Sequence, residues 1–320
     1  MGMHKYIIRR LIDSCGTLFF VMVVDFFLFR LMPGDPIKLL VSSRHLPPGF
    51  IAQLEELYGL SRPMWQQFFI YIKNLFTFQF GTSFLYQAPA TPIILDKVGN
   101  SILLLVVSQI LAMIIGIVAG LVAGWSHGKP VDLSLVTSSL FFWCMPTFWI
   151  AMVFATAFAG VLPICGMHTL TLYNASPFVA LLDLGKHIML PTIVLTILYI
   201  GQMLILARNE VSNILTQDYI STAKAKGLAP RQIIFRHVLR NASLPLVSSA
   251  GLSFAFLVGG ALQTEIIFSW PGIGRLIYTA TLARDYTVLQ ACFYILALSV
   301  IIANFLTDIA YKYLDPRVEY

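Results

Sequence analysis

DYISTAKAKGLAPRQIIFRHVLRNASLP, from Asp218 to Pro245, carries five cations (Lys224, Lys226, Arg231, Arg236 and Arg240) and one acid, at its first residue. The chain on either side is overwhelmingly apolar. Residues 209–226 read as one helix. Gly227 stands where a left-handed residue ends a helix, and Lys224 and Lys226 fall in the last turn, where cations complement the helix dipole. Pro230 suits the first turn of a second helix. On that helix Ile234, Val238 and Ala242 share one face, flanked by Phe235 and Leu239, with Arg236 and Arg240 turned away. The pattern predicts two short helices lying against an apolar surface with their cations outward.

Composition says what that surface is. The 320 residues are 58% hydrophobic and 11% charged, where a soluble domain carries about 25% charged residues. A water-soluble fold cannot hide so much apolar area, so the solvent for most of the chain is a bilayer. The net charge of +6 points to loops on the cytoplasmic side and not to nucleic acid. Cys15, Cys144, Cys165 and Cys292 form no metal spacing and read as structural. The N-terminal apolar run is too long, and too bulky at its end, for a cleaved signal; it reads as an uncleaved first span.

A spanning helix needs about 20 apolar residues. Six stretches qualify: 10–31, 100–124, 134–160, 187–207, 245–268 and 287–311. Lys5, Arg9 and Arg10 precede the first, and six Lys/Arg lie between the fourth and fifth, counting Arg208. The loop between spans three and four carries only Lys186, and that between five and six only Arg275 and Arg284. The positive-inside rule therefore puts both termini and the 208–244 segment in the cytoplasm. Residues 1–31 form a short cytoplasmic start and span one, 100–311 hold the other spans, and 312–320 are a cytoplasmic tail.

Residues 32–99 should form an extracytoplasmic subdomain. PGDP (Pro33–Pro36) and LPPG (Leu46–Gly49) interrupt any helix. FIAQLEELYGL reads as a short helix stopping near Gly59, and RPMWQQFFIYIKNLF as an amphipathic helix with Pro63 near its first turn.

From the residues alone the 208–244 segment has two readings, an ordinary positive-inside loop or a docking surface for a cytoplasmic partner. Resemblance favours the second. Asp218–Pro245 resembles the coupling region of binding-protein-dependent ABC transporter permeases, and within them the peptide/nickel branch. That family's motif is EAA, three residues, Gly, nine residues, then I-x-L-P. Gly227 falls at the Gly, Ala223 at the second Ala, and His237 to Arg240 at the I-x-L-P end. Ser221 stands for the Glu, Thr222 for the first Ala and Arg240 for the Pro, so a mechanism resting on that carboxylate does not carry over. LMPGDP (Leu31–Pro36), YGLSRPMWQQF (Tyr58–Phe68), MPTFWIAM (Met145–Met152), FSWPGIGRL (Phe268–Leu276) and YLDPRVEY (Tyr313–Tyr320) resemble the same branch in the same order. LMPGDP before a long extracytoplasmic segment resembles the B-type of the two paired subunits.

The resemblance implies an all-α membrane protein with six transmembrane helices, the type I ABC importer permease fold, in a prokaryotic cytoplasmic (inner) membrane. Implied partners are a second, C-type permease subunit, two cytoplasmic ATPase subunits that hold ATP and Mg, an extracytoplasmic solute-binding protein, and membrane lipid. The implied ATPase-docking residues are Asp218, Tyr219, Ala223, Lys224, Lys226 and Gly227, with Ala223 permitting close approach and Gly227 the turn. The implied solute is a di- or oligopeptide; nickel and oligosaccharides also occur in the branch.

Gly116, Gly120 and Gly124 form a GxxxGxxxG ridge, for packing within the chain or at a subunit interface. GWSHGKP (Gly124–Pro130) is no phosphate loop: three residues separate the glycines, and Pro130 replaces the magnesium-binding Ser/Thr. No catalytic constellation appears, and no cofactor or metal is expected on this chain. His127, His187 and His237 read as interfacial polar residues. Each acid in an apolar span needs a partner: Asp13 has Arg9 or Arg10 in reach, Asp25 has Arg30, and Glu265 has Arg275 or Arg30, with Asp308 the fourth. Glu265, just before the Trp270–Pro271–Gly272 turn at the outer end of span five, is the gate candidate together with Arg275. A self-contained secondary transporter or channel is the rival reading; it needs intramembrane coupling groups, which Asp25 and Glu265 could supply, and has no use for a docking element.

Overall fold

The computed structural model describes residues 3–31, 62–172, 176–256 and 261–314. PGDP, LPPG and the 50–60 helix therefore lie outside the described residues. Among the described residues the regular elements are helices: α1 (Met3–Leu31), α2 (Met64–Phe76), α3 (Ala90–Trp125), α4 (Pro130–Cys144), α5 (Thr147–Ala157), α6 (Pro177–Leu215), α7 (Asp218–Ala225), α8 (Pro230–Ile233), α9 (Leu239–Phe256), α10 (Leu262–Ile267), α11 (Ile273–Leu282) and α12 (Tyr286–Leu314).

α1 and α12 pack antiparallel. At one end Arg10 Nε sits 3.3 Å from Asp308 Oδ2, and the Tyr6 hydroxyl donates to the Asp308 carbonyl at 3.3 Å. At the other, Phe29 meets Tyr286 and Phe293 with ring centroids 6.1 and 5.9 Å apart. We call the Arg10–Asp308 end proximal and the Phe29–Tyr286 end distal.

Inside, α3 and α6 run parallel in close contact. Their seam is the glycine ridge: a Cβ on Gly116 would lie 2.9 Å from Met203 Cβ, one on Gly120 2.5 Å from Ala207 Cβ, and one on Gly124 2.7 Å from Val211 Cβ. Both helices step by four residues, so one ridge sits in the other's groove along the whole seam. Lipid tails are as apolar as leucine, so association in a bilayer comes from this van der Waals fit and not from hydrophobic burial. The ridge thus packs within the chain.

Among the described residues four helices are long and apolar enough to cross a membrane, α1, α3, α6 and α12; a fifth span results if α4 and α5 count as one. Those two were expected as one run, 134–160, but bend by 100° at Met145–Pro146. Proline lacks the N–H for the preceding turn and disfavours the helical region for the residue before it; Met145 is extended, at φ −75°, ψ 140°. α3 and α6 are longer than expected because they start ten residues earlier, after Pro89 and Ser176, and α6 also runs on to Leu215. The expected span 245–268 is α9 and, past residues 257–260, the short α10.

Candidate docking element and buried-carboxylate turn

The proximal element begins where α6 ends. Residues 209–226 are not one helix: α6 runs on to Leu215, Gln217 is extended (φ −76°, ψ 146°), and α7 starts at Asp218. Gly227 has φ +76°. A Cβ there would meet nothing within 4 Å, so conformation, not space, asks for glycine. The Gly227 N–H donates to the Lys224 carbonyl (2.9 Å) and the Leu228 N–H to that of Ala223 (3.3 Å), closing the helix end.

α8 follows, with Pro230 in its first turn and the Gln232 side chain accepting the Ala229 N–H at 3.1 Å. Ile234–Val238 then form one π-helical turn. The wider turn changes which residue faces inward. An α-helical period aligns Ile234 with Val238; the extra residue brings Ile233 into line instead, and Ile233, Val238, Ala242 and Leu246 are buried while Ile234 is half-buried. With Ile220 they pack on Met203, Ala207, Val211 and Ile214 of α6. The element is thus seated on the helix that carries the glycine seam.

Asp218, Tyr219, Lys224, Lys226 and Gly227 are exposed. Ala223 is not: at 6% exposure it is buried within the chain, so the close approach it permits is to the chain itself. Tyr219 is held by the Asn241 amide, which donates to its hydroxyl at 3.1 Å, and lies 6.3 Å from the His237 ring. Beside them is an open cleft of about 580 Å³ lined by Leu228, Gln232, Phe235 and Arg236. Phe235 is 63% exposed, with the Arg231 guanidinium 5.8 Å above its ring. Sequence reasoning missed Asp132, which braces this face: Arg208 reaches it through Nε and Nη2, both at 2.9 Å, and the Gly128 N–H donates to it at 2.9 Å. A signal existed, an acid in the first turn of α4 after a Gly-Lys-Pro loop.

The second cluster surrounds Glu265, 1% exposed. Its Oε1 accepts the Ser101 hydroxyl at 2.5 Å and its Oε2 the Arg275 backbone N–H at 3.1 Å. The Arg275 guanidinium turns elsewhere, donating to the Ser269 carbonyl at 2.6 Å. The expected Glu265–Arg275 ion pair is therefore replaced by hydrogen bonds, because main-chain donors at the start of α11 lie closer. Ser101 also accepts the Ile273 N–H (2.8 Å), and Asn100 donates to the Pro271 carbonyl (3.0 Å) and accepts the Trp270 indole N–H at its own carbonyl (2.9 Å). Two consecutive residues of α3 thus clamp the Trp270–Ile273 turn. A Cβ on Gly272 would fall 2.3 Å from the Glu265 carboxyl carbon.

Elsewhere Asp25 pairs not with Arg30 but with Tyr71, whose hydroxyl donates at 2.5 Å; Arg30 instead covers the Phe26 ring at 5.8 Å. Burial, and then the Asp25 carboxylate, push the Tyr71 phenol above its ordinary value, so it stays a donor. His187 is buried rather than interfacial, its Nδ1 2.9 Å from the Asp183 carbonyl. His127 is exposed beside Asp132 at 3.4 Å. Nothing in these clusters pairs a nucleophile with a base; they are suited to packing, latching and docking.

Residues 116–320 match the family model described as the binding-protein-dependent transport system inner membrane component, and residues 3–105 match the model of its N-terminal part. The chain is 32% identical over 323 residues to the oligopeptide transport system permease protein AppB of Bacillus subtilis, covering 99% of this chain and 100% of that one. It is 34% identical over 334 residues to the dipeptide transport system permease protein DppB of Alkalihalophilus pseudofirmus, with 99% and 100% covered. To the glutathione transport system permease protein GsiC of Escherichia coli K12 it is 32% identical over 328 residues, again with 99% and 100% covered.

Proposed function

Since the chain belongs to the family of binding-protein-dependent transport system inner membrane components, we propose that it is the B-type permease subunit of an ATP-driven importer of di- or oligopeptides. The peptide class rests on the relatives, which are named for oligopeptides, dipeptides and glutathione. Six spans serve the pathway: α1, α3, the bent α4–α5 pair, α6, α9 and α12. The proximal face is cytoplasmic. A C-type permease subunit completes the pore, two ATPases carrying ATP and Mg attach at the proximal face, and a solute-binding protein delivers at the distal face. ATP-driven closure of the ATPases moves α7, and with it the spans, between inward- and outward-open states.

One observation carries the docking assignment: α7 and its C-cap project Asp218, Tyr219, Lys224 and Lys226 outward while Ile220 binds α7 to a core shared with α6. A push on that surface reaches a spanning helix directly. The distal counterpart is the Glu265 turn, with Trp270, Pro271, Gly272 and Arg275, in the role of an outer gate.

The test is affinity capture of the detergent-solubilised chain, co-expressed with ATPase and permease partners, comparing wild type with Gly227→Asp and with Lys224→Glu/Lys226→Glu. Wild type recovers an ATPase; the double charge reversal, which touches no buried residue, recovers at least tenfold less. Equal recovery by all three would refute docking through α7.

A further inference from the structure

We propose that α2 is an interfacial anchor: it lies in the outer headgroup layer of the bilayer, with Trp65, Phe69 and Phe76 inserted among the lipids. This rests on the transmembrane reading of α1 and not on ATPase docking.

Successive residues of a helix turn by about 100°, and α2 sorts into three faces on that count. Phe68, Tyr71 and Leu75 fall within about 60° of one another and face the protein. Leu75 is 3% exposed, Tyr71 holds Asp25, and Phe68 meets Phe26 with centroids 5.2 Å apart. Trp65, Phe69 and Phe76 form a second stripe about 40° wide. They are 63%, 64% and 61% exposed, although their apolar area exceeds that of most residues in the core. Gln66, Gln67 and Asn74 lie on the remaining side together with Ile70, 36% exposed, and Lys73 lies at the edge of the aromatic stripe.

A helix in water has no reason for the second stripe, and a helix through the bilayer has no place for the third. Three environments, protein, lipid and water, meet only at a membrane surface. The ring and hydrogen-bond contacts between α1 and α2 fall on Asp25 and Phe26, in the distal part of α1, the level at which an interfacial helix lies. On α1 itself Phe20, Val24, Phe27 and Leu28 are exposed, so the aromatic stripe continues a lipid-facing surface. Trp and Phe beside a snorkelling Lys are the side chains of that layer.

The experiment places a nitroxide at residues 65, 69, 76, 66 and 70 in turn, in the full chain with its partner subunits in liposomes. Cys15, Cys144 and Cys165 are changed to Ser and Cys292 to Ala beforehand. At 65, 69 and 76, collisions with oxygen should exceed those with a water-soluble nickel chelate several-fold, and the order should reverse at 66 and 70. Nickel access at 65, 69 and 76 would overturn the proposal in favour of a solvated helix. Protection from both reagents would overturn it in favour of a protein cover. If the cysteine-free chain does not assemble, the native chain and Trp65→Phe are compared in liposomes of lipids brominated near the headgroup. The emission lost with Trp65 should be quenched at least twofold, and an unquenched component would refute the anchor.

Discussion

Gly120→Ala is the sharpest probe of the fold, because its cost is set by distances and has a control in the same helix. Its Cβ would fall 2.5 Å from Ala207 Cβ and 2.6 Å from the Leu204 carbonyl oxygen, where carbon contacts prefer about 3.5–4.0 Å. The carbonyl is backbone and has no rotamer to yield. The helices must part by about 1 Å, and a gap of that size forfeits a quarter to a half of each contact's attraction. Overpacking of this kind costs about 1–3 kcal/mol, against a gain of about 0.5–1 kcal/mol for replacing glycine within a helix. Gly116 is less crowded, with nearest atoms at 2.9 and 3.0 Å, and Gly99 has nothing within 4 Å. The expected stability order is therefore Gly99→Ala at or above wild type, Gly116→Ala below it, and Gly120→Ala lowest. Ala207→Gly removes one clash but not the carbonyl, so the double variant recovers only part of the loss. Thermal unfolding in detergent is read through buried Cys292 with a thiol-reactive dye, in a background lacking the three exposed cysteines. At about 2–4 °C per kcal/mol for a chain near this size, Gly120→Ala should melt a few degrees lower. Equal melting of the Gly99 and Gly120 variants would refute the α3–α6 seam.

Three further outcomes follow from the clusters. Glu265→Gln keeps the shape and can still bond both Ser101 and the Arg275 N–H, so assembly and transport should survive. Glu265→Ala orphans two buried donors at about 1–3 kcal/mol each and should lower both; an intact Ala variant in a transport and size-exclusion assay would sink the gate assignment. Asp285, fully buried, accepts the Ser83 hydroxyl at 2.6 Å and the Leu85 N–H at 3.0 Å. Asp285→Ala removes the oxygen that both donors share, and limited proteolysis should then cut residues 77–89 at least several-fold faster; unchanged cutting would show that Asp285 does not hold the loop. Arg208→Met removes both guanidinium bonds to Asp132 and leaves its carboxylate only the Gly128 N–H and the exposed His127, lowering the melting temperature by more than Asp132→Asn/Arg208→Met together; a single variant no worse than the pair would refute the brace.

What could be read in advance was whatever a local period encodes. The apolar runs identified the four long helices able to cross a membrane, Gly227 and Pro230 identified the turn between α7 and the helix after it, and the four-residue glycine spacing identified a seam. Breaks that depend on one residue were harder. Pro146 lies inside an apolar run and was absorbed into it, though its missing N–H bends the helix by 100°. No residue type marks the π turn at Ile234–Val238, so the inward face was assigned to Ile234 when the wider turn gives it to Ile233. That shift arises because the turn has to place Ile233 and Val238 together on α6, a tertiary requirement that no window of sequence contains.

Charge partners were the least legible, for a related reason. A sequence offers an acid the cations of the same membrane face, Arg30 for Asp25 and Arg275 or Arg30 for Glu265. In an apolar interior a second ion brings its own desolvation cost of several kcal/mol, whereas a hydroxyl or a free backbone N–H at a helix start brings much less. Tyr71 and Ser101, separated from their acids by 46 and 164 residues, satisfy the carboxylates without that cost. Arg30 and Arg275 are left to cover an aromatic ring and to bind a carbonyl. The rule for the acids of an apolar chain is then to look first for a hydroxyl or a helix start from another element, and to leave the neighbouring arginine for the surface.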